Sequence, residues 1–356
     1  MEYYTHVRLK NEFNAGNKAT DDIAHICESM GLKELVFPKL PTNLNKYLHK
    51  VWILAVTSFT WFKYYLKMKK GDLLLYQHPM YGVRMSNYFI SKIRKKGCKC
   101  IAIIHDLDTL RNKGVDGYLV SNKTAFIADD CLLKQFDAII CHNGIMHDYL
   151  VSQGFDTDKL IDLNLFDYLT DHEIPVRHKD STDYSLVIAG NLTRMKSSYL
   201  YDFIDKSPDD TDLYVYGVGY DADSSHGNVH YEGAFPPDEL CAKMKGDFGI
   251  VWDGTSAESC VGNTGNYLRY NNPHKLSLYL TSNIPVIVWS RSAVSGFVKE
   301  NGVGIAVDSL MDIEGIINGL SSEEYNIMVD NTAGISDRSR NGLYFKAAYE
   351  EAKKRL

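Results

Sequence analysis

The segment Asn271–Trp289, NNPHKLSLYLTSNIPVIVW, contains the pattern that decides the fold. A helical stretch is followed by a break at Thr281–Asn283 and then by Ile284–Trp289, a short apolar run typical of a fully buried strand. A helix that leads into a buried strand is the repeating unit of a parallel sheet. This segment therefore predicts an α/β fold.

The same alternation recurs along all 356 residues, a length that suits two domains. Three apolar runs in the first half and four more in the second half read as strands: DLLLYQHP, KCIAIIHD, FDAIICHN, YSLVIAGN, DLYVYGVG, DFGIVWDG and GVGIAV. A polar segment, residues 163–184, separates the two series. We therefore predict two doubly wound, Rossmann-like domains, residues 1–165 and 180–335. The amphipathic segment 340–356 is predicted to pack back on the first domain.

Composition excludes several classes of protein. The net charge of -6 argues against nucleic acid as the main partner. Seven scattered cysteines follow neither a disulfide framework nor the spacing of a zinc site, so we expect a reduced, cytoplasmic protein. The N-terminal sequence MEYYTHVRLK lacks the apolar core of a signal peptide.

The segment Val51–Lys70, VWILAVTSFTWFKYYLKMKK, is unusually apolar and ends in lysines. Lys63 interrupts the apolar run, which is too short to span a bilayer. Two interpretations stay open: a buried core helix with a basic end, or a helix that lies on a membrane surface.

Ligands of doubly wound sheets bind beyond the carboxyl ends of the strands, and two facing domains would place them in the cleft between the domains. Gly190 and Asn191 end the run YSLVIAGN, and Arg194 follows within reach of a phosphate. Tyr216, in the next run, is predicted either to stack on a base or to be a core aromatic residue.

The helix in the opening segment has a start that suits an anion. We predict Asn272 as its N-cap and Pro273 as its first residue. Lys275 then puts a cation in the first turn, where the helix dipole disfavours positive charge. A bound diphosphate would reverse that effect by accepting hydrogen bonds from the free N–H groups, Lys275 and Ser277.

Polar side chains also follow three strand runs of the first half. The sequence IIHDLD places His105, Asp106 and Asp108 directly after a buried run, where they could supply a general base, for which we favour Asp106. The neighbouring runs end with His78 and with His142 and Asn143.

A polar loop near the N-terminus, which includes Gly16, Asn17 and Lys18, could contact a donor or acceptor. The chain has no Walker loop, HExxH motif or nucleophile elbow. Asp106 and Asp108 form a D-x-D triplet, which we interpret as not binding metal.

The stretches GDFGIVWDG, NYLRYNNPHKLSLYLTSNIPVIVW and VKENGVGIAVDSL together resemble bacterial sugar transferases of the β-1,6-galactofuranosyltransferase type. More distantly, they resemble the glucosyltransferases that extend glycans on streptococcal serine-rich adhesins. The resemblance covers nearly the whole chain, including NAGNKA, IIHD and FDYL. It implies a GT-B fold with two Rossmann-like domains, a UDP-sugar in the central cleft and no metal.

The resemblance also implies roles for particular residues. Arg194 and Lys275 would hold the UDP phosphates, and Tyr216 would lie near the nucleotide. Gly16, Asn17 and Lys18 would line the cleft. From their positions after strands, we place His78 and Asp108 on the acceptor side of the same cleft.

From residues and resemblance together we expect metal-independent transfer of a hexosyl unit, galactofuranose, from a UDP-sugar to a glycan hydroxyl in surface polysaccharide synthesis. The acceptor is either lipid-linked, with the protein at the inner face of the membrane, or a protein glycan. Family resemblance suggests a homo-oligomer. The alternatives are a UDP-glucose or UDP-N-acetylhexosamine transferase and a non-catalytic sugar-nucleotide-binding subunit.

Overall fold

A computed structural model of the chain describes residues 1–8, 17–41, 45–111, 123–207, 211–224 and 227–356. These residues divide into two units. The first unit contains residues 1–8, 19–163 and 345–356, and the second contains residues 17–18 and 164–344. None of the helices in these ranges combines the length and the apolarity that crossing a bilayer requires.

The first unit is built on a six-stranded parallel sheet of order β2-β1-β3-β4-β5-β6. Its strands are β1 (Glu2–Val7), β2 (Lys33–Phe37), β3 (Leu73–His78), β4 (Lys99–Ile104), β5 (Ala138–Cys141) and β6 (Leu160–Asp162). Its helices are α1 (Lys18–Ser29), α2 (Lys46–Lys67), α3 (Val83–Lys95), α4 (Asp108–Arg111), α5 (Lys123–Phe126) and α6 (Gly144–Ser152). Every residue of β3 is buried, because helices cover both faces of a parallel sheet.

The second unit has a parallel sheet of order β12-β11-β10-β7-β8-β9. Its strands are β7 (Leu186–Asn191), β8 (Leu213–Val218), β9 (Val229–Gly233), β10 (Phe248–Val251), β11 (Val286–Trp289) and β12 (Gly304–Val307). Its helices are α7 (Ser198–Lys206), α8 (Pro237–Lys243), α9 (Gly262–Tyr267), α10 (His274–Thr281), α11 (Ser295–Asn301), α12 (Ile313–Ile317) and α13 (Ser322–Arg340).

The strand order of the second unit is that of a dinucleotide-binding Rossmann sheet. The first strand of this unit, β7, lies between β8 and β10. The strands β7 to β9 follow one another toward one edge of the sheet and β10 to β12 toward the other edge, so the strand order reverses between β7 and β10. The crevice beyond the carboxyl ends of these two strands is where such sheets bind ligands. The topology therefore directs attention to the residues that follow β7 and β10.

The C-terminal helix α14 (Leu343–Lys354) follows α13, and residues from Phe345 onward group with the first unit. The hydroxyl of Tyr349 donates to Glu2 Oε2 at 3.0 Å, and Lys353 Nζ lies 3.0 Å from Glu2 Oε1. The end of the chain is thus tied to β1, which begins it.

Candidate functional site

Lys275, the second residue of α10, extends to the point where the strand order reverses. Its Nζ donates to the carbonyl oxygen of Trp252, the residue after β10, at 3.3 Å. It also donates to the hydroxyl of Tyr199 at 3.1 Å. Burial raises the pKa of Tyr199 well above its usual value, so this partner is neutral. Among the described residues, no carboxylate forms an ion pair with Lys275, so its positive charge is not neutralised there.

Gly190, at the end of β7, provides space for Lys275. A Cβ at position 190 would lie 3.2 Å from Lys275 Cε, and φ is +143°. Gly217 lies beside Gly190 in β8, and a Cβ there would lie 1.8 Å from the Gly190 carbonyl oxygen. At position 217 a Cβ would overlap the backbone, so a glycine is required there. At position 190 a Cβ would require the Lys275 side chain to shift, and the positive φ would be strained.

The start of α10 differs from the prediction. Pro273, with φ -68° and ψ 134°, is the N-cap and His274 the first helical residue. Asn272 is therefore not the N-cap: its side-chain amide donates to the Asn164 carbonyl oxygen at 3.0 Å. The predicted cap failed because Pro273 has extended dihedral angles, which moves the helix start by one residue.

Three buried polar atoms around the start of α10 have no hydrogen-bond partner within the described ranges: Asn271 Oδ1, His274 Nε2 and Ser277 Oγ. Ser277 is only 1% exposed. Burial and, to a smaller extent, the nearby charge of Lys18 lower the pKa of His274 to about 3, so the imidazole is neutral. Because buried polar groups are normally satisfied, this group of atoms is consistent with a polar ligand at the helix start.

Arg194 lies beyond β7, and the structure already gives it partners. Its Nε donates to Asp221 Oδ2 at 2.7 Å, a second guanidinium nitrogen donates to Ser224, and the group lies 4.3 Å from the Tyr201 ring centre. The side chain is 57% exposed. Asn191 lies one residue beyond Gly190, and its Oδ1 accepts hydrogen bonds from the Thr193 main chain and hydroxyl.

Tyr216 does not offer a ring face to a base in this structure. It is 1% exposed, and its hydroxyl accepts a hydrogen bond from the Lys245 main chain at 2.9 Å. This burial leaves no ring face for stacking on a base, whereas the position of Tyr216 near a nucleotide stays a prediction. Of the two interpretations of the sequence, the structure supports the core aromatic residue.

The sequence analysis missed a set of stacked tyrosines beyond β8. The rings of Tyr220 and Tyr231 lie 4.9 Å apart at 28°, and those of Tyr201 and Tyr220 lie 6.1 Å apart at 16°. Tyr231 is 46% exposed. The sequence feature that could have revealed this stack is Tyr220, which directly follows Gly217-Val218-Gly219 at the end of a predicted strand. Unlike Tyr216, this stack has an exposed ring.

In the first unit, one histidine stands at the end of each of the neighbouring strands β3, β4 and β5. The main chain of His105 donates to the His78 carbonyl oxygen at 2.6 Å, and the β4–β5 register brings His142 beside His105. The His105 Nε2 lies 2.8 Å from Gln77 Oε1. Burial lowers the pKa of His142 to about 4, so its imidazole is neutral at pH 7.

Asp129, which the sequence analysis did not consider, organises this edge of the sheet. It is 5% exposed, and its carboxylate lies 2.9 Å from His78 Nε2 and accepts from the Thr109 main chain at 2.6 Å and the Thr109 hydroxyl at 2.8 Å. Nothing in the sequence ADDC distinguished Asp129 from its neighbour. These contacts hold α4 against β3.

The two predicted carboxylates have different surroundings. Asp106 Oδ2 accepts from Arg111 at 2.9 Å. Asp108 lines a cavity of about 230 Å³, together with residues 79–83, Thr124 and Ala128. Burial raises the pKa of Asp108, and the nearby charge of Asp129 raises it further. Asp108 therefore has the surroundings of a stronger base than a carboxylate paired with arginine.

The remaining predicted residues are placed as follows. Asn143 is the N-cap of α6 and accepts from Met146 at 2.9 Å. Lys18 is 8% exposed, donates to the Leu169 carbonyl oxygen at 2.6 Å and pairs with Asp238 at 2.7 Å. Asn17 immediately precedes α1. Gly16 lies outside the described residues.

One cluster in the described part of the first unit has side chains suited to a metal ion. The ligand atoms of Cys141, His147 and Asp162 lie within 4.8 Å of one another. Asp162 Oδ1 lies 3.0 Å from His147 Nδ1 and 3.4 Å from Cys141 Sγ. Burial raises the pKa of Cys141 well above its usual value, which disfavours the thiolate that a metal would need.

Comparison with known proteins agrees with this architecture. Residues 1–165 match the family described as Glucosyltransferase 3-like, N-terminal domain, and residues 186–352 match the corresponding C-terminal domain. The β-1,6-galactofuranosyltransferase WbbI of Escherichia coli (strain K12) is 35% identical over 80% of this chain and 80% of that protein. Glucosyltransferase 3 of Streptococcus gordonii is 28% identical over 94% of this chain and 92% of that protein.

Solved structures show the same fold at low sequence identity. Sucrose-phosphate synthase from Thermosynechococcus elongatus has a TM-score of 0.65 at 12% identity, covering 100% of this chain and 99% of that chain. The lipopolysaccharide outer core galactosyltransferase WaaB has a TM-score of 0.61 at 13% identity, with full coverage of both chains. The predicted GT-B fold is thus confirmed, and the chain belongs to the Glucosyltransferase 3-like family of glycosyltransferases.

Proposed function

We propose that this chain transfers a hexosyl unit, galactofuranose, from a UDP-sugar to a hydroxyl of a glycan acceptor in surface polysaccharide synthesis. The observation that carries the proposal is the Lys275 ammonium at the reversal point of the second sheet, which has only neutral hydrogen-bond partners among the described residues. The 35% identity to a β-1,6-galactofuranosyltransferase favours galactofuranose as the sugar. The 28% identity to a glucosyltransferase keeps UDP-glucose as the second candidate donor.

The diphosphate of the donor binds at the start of α10 in this proposal. Free N–H groups of the first turn and the Lys275 ammonium take the phosphate oxygens, and Ser277 Oγ gains the partner that it lacks among the described residues. As the bond between sugar and phosphate breaks, charge accumulates on the departing UDP. Lys275 and the helix dipole stabilise that charge where it forms.

Arg194 is the second proposed phosphate ligand, but it has a competing partner. The guanidinium must exchange the Asp221 carboxylate for a phosphate, and its exposure leaves it room to do so. The planar group can then donate two parallel hydrogen bonds to phosphate oxygens. We assign the exposed ring of Tyr231, rather than Tyr216, to the base of the nucleotide.

The general base that we propose is Asp108. Its cavity has room for part of a sugar, and its raised pKa makes it a better proton acceptor than an ordinary carboxylate. Asp106, favoured from the sequence, is paired with Arg111, and such pairing weakens a base. Asp108 would take the proton of the acceptor hydroxyl as that oxygen attacks the sugar.

We further propose that no divalent metal takes part, because Lys275 and Arg194 provide the positive charge that the diphosphate requires. The acceptor is a lipid-linked glycan at the inner face of the membrane, and the protein acts as a homo-oligomer. A non-catalytic sugar-nucleotide-binding subunit is the alternative without turnover.

Calorimetric titration with UDP tests the site. In buffer containing EDTA, the wild type should bind UDP, and Lys275→Ala should bind at least tenfold more weakly, about 1.4 kcal/mol. Lys299→Ala, which removes an exposed lysine of α11, is the matched control and should bind like the wild type. Equal binding by both lysine variants, or binding only when Mg²⁺ is added, would contradict the proposal. Turnover of UDP-galactofuranose against UDP-glucose then identifies the donor.

A further inference from the structure

The helix α2 has two different faces. Its buried face is fixed to the first unit: Trp61 Nε1 donates to Ser86 Oγ at 3.2 Å, and the Tyr64 hydroxyl donates to the Val36 carbonyl oxygen at 2.8 Å. Thr57 and Thr60 complete this face. The helix is therefore held firmly in place by this face, and it is not buried on all sides.

The opposite face of α2 exposes seven large apolar side chains, each more than half exposed: Tyr47, Leu48, Val51, Leu54, Phe59, Phe62 and Leu66. At about 100° per residue they fall within an arc of about 140° along the length of the helix. Soluble proteins rarely expose a continuous apolar stripe of this length unless it contacts a partner.

The charged residues of α2 are all positive. The sequence of α2 contains four lysines, one histidine and no acidic residue. Lys50 and Lys63 lie on opposite borders of the stripe by their helical positions, and Lys69 and Lys70 follow the end of the helix. This local charge contrasts with a net charge of -6 for the whole chain.

The basic region continues into the end of α3. Cys98 Sγ donates to the Lys69 carbonyl oxygen at 3.1 Å, and Lys96 Nζ donates to the Tyr65 carbonyl oxygen at 2.7 Å. A cavity of about 380 Å³ next to these residues is lined by Arg94, Lys95, Gly97, Cys98, Lys99 and Asp137. Asp137 pairs with Arg94 at 2.7 Å and lies 3.9 Å from Lys99, so three basic side chains and one carboxylate leave this cavity with a net positive charge.

We propose that the exposed face of α2 docks on a lipid bilayer that carries anionic headgroups. The apolar stripe enters the boundary between headgroups and acyl chains, and the bordering lysines pair with lipid phosphates. A second copy of the chain is a poorer occupant, because pairing two such faces would bring lysines together with no carboxylate of α2 to offset them.

Membrane docking would serve the proposed transfer to a lipid-linked glycan, and in that respect the inference rests on the proposed function. The strand that precedes α2 ends at Phe37, so the helix begins at the carboxyl edge of the sheet, where Asp108 lies. The hydroxyl of Tyr81, which lines the Asp108 cavity, donates to the Pro38 carbonyl oxygen. Docking through α2 would therefore bring the carboxyl edge of the first sheet, where Asp108 lies, close to a lipid-linked glycan.

Co-sedimentation with vesicles tests the docking surface without any need for turnover. The full chain should sediment with vesicles of phosphatidylcholine and phosphatidylglycerol but weakly with phosphatidylcholine alone. Phe59→Glu combined with Phe62→Glu should reduce binding at least tenfold, and Lys50→Gln combined with Lys63→Gln should reduce both binding and its salt dependence. The control Ile327→Glu changes an apolar residue of α13 that is 53% exposed and should bind like the wild type.

The proposal is overturned if the wild type stays in the supernatant or if the double glutamate variant binds as well as the wild type. If the wild type does not bind vesicles and the glutamate variant converts a dimer to a monomer in light scattering, the face joins two copies of the chain instead. Turnover with a water-soluble glycan acceptor should be the same in the wild type and the α2 variants. Loss of vesicle binding with retained turnover separates failure of this inference from failure of the proposed reaction.

Discussion

Lys275 passes close to Gly190 at the reversal point of the second sheet, with its Cε 3.2 Å from the position that a Cβ of residue 190 would occupy. The lysine belongs to the first turn of α10 and the glycine to the end of β7. The absence of one side chain thus sets the position of a cation. This geometry predicts that a change at residue 190 alters the anion site without removing any charge.

Gly190→Ala should weaken UDP binding at least tenfold. The new Cβ would lie 3.2 Å from Lys275 Cε and push the ammonium from its hydrogen bonds with Trp252 and Tyr199. The unfavourable φ of +143° should also cost about 1–3 kcal/mol in unfolding free energy. Calorimetry and thermal unfolding measure the two effects separately.

A double-mutant cycle checks whether the effect of residue 190 acts through the lysine. Gly190→Ala should add little to the loss of UDP affinity in a Lys275→Ala background, because the group that it displaces is already absent. Gly296→Ala, where a Cβ would have nothing within 4 Å, is the control. Fully additive losses from residues 190 and 275 would show that the two act independently.

Asp108→Asn should lower kcat by about 10²–10⁴-fold, the usual contribution of a general base, and leave UDP affinity unchanged. Only the deprotonated carboxylate accepts a proton. In the wild type, kcat should therefore decline as the pH falls through the raised pKa of Asp108. Steady-state rates measured from pH 4 to pH 8 check both statements.

Asp106→Asn is the matched comparison, and its loss of kcat should be smaller. The free energy of unfolding provides a further check. Burial raises the pKa of Asp108, so its negative charge lowers the stability of the folded state at neutral pH. This loss of stability disappears as the pH falls toward the pKa that Asp108 has in the unfolded chain. Asp108→Asn should therefore raise the melting temperature at pH 7 but not in acid. A larger loss of kcat in Asp106→Asn would restore Asp106 as the base.

His142 should make the first unit sensitive to acid. Burial lowers its pKa to about 4, so the unfolded chain, with a histidine pKa of about 6.5, binds the proton first as the pH falls. Stability is retained above the unfolded pKa and lost between that value and the folded one. At pH 5 the loss should be about 2 kcal/mol.

Urea unfolding at pH 7 and pH 5 measures this loss. His142→Gln cannot protonate and should lose about 2 kcal/mol less than the wild type between the two pH values. His25→Gln, at an exposed position of α1, should lose as much as the wild type. Equal losses in all three proteins would mean that His142 does not control the acid response.

The sequence predicts the buried strands well, because a short apolar run bounded by turn residues, such as residues 73–76, is typical of a strand covered on both faces. The strands β1, β2, β6 and β9 were not predicted. The residues of β9, VHYEG, are half-exposed, and β6 has only three residues, so neither shows an apolar run. Asp108 could be proposed because polar residues after buried strands lie at a known edge of the sheet, and Lys275 because a cation in the first turn of a helix suits a bound anion.

Other features depend on contacts between distant parts of the chain. Asp129 lies 51 residues from its partner His78, and no local pattern marks their pairing. In the sequence, nothing distinguishes Tyr216 from an exposed tyrosine near the end of a strand. In the structure, its hydroxyl accepts a hydrogen bond from the main chain of Lys245. A sequence shows which residues can do chemistry, but burial and partners decide which of them remain available for it.

The ion pair between Arg194 and Asp221 has a consequence for turnover in the proposed reaction. A glycosyltransferase must release UDP after every cycle, and two permanently available cations could hold this product too tightly. The Asp221 carboxylate would compete with UDP for the Arg194 guanidinium and pair with it again when UDP leaves. In this proposal Lys275, which has no such competitor among the described residues, would set the affinity for UDP, and the Arg194–Asp221 exchange would set the rate at which UDP leaves.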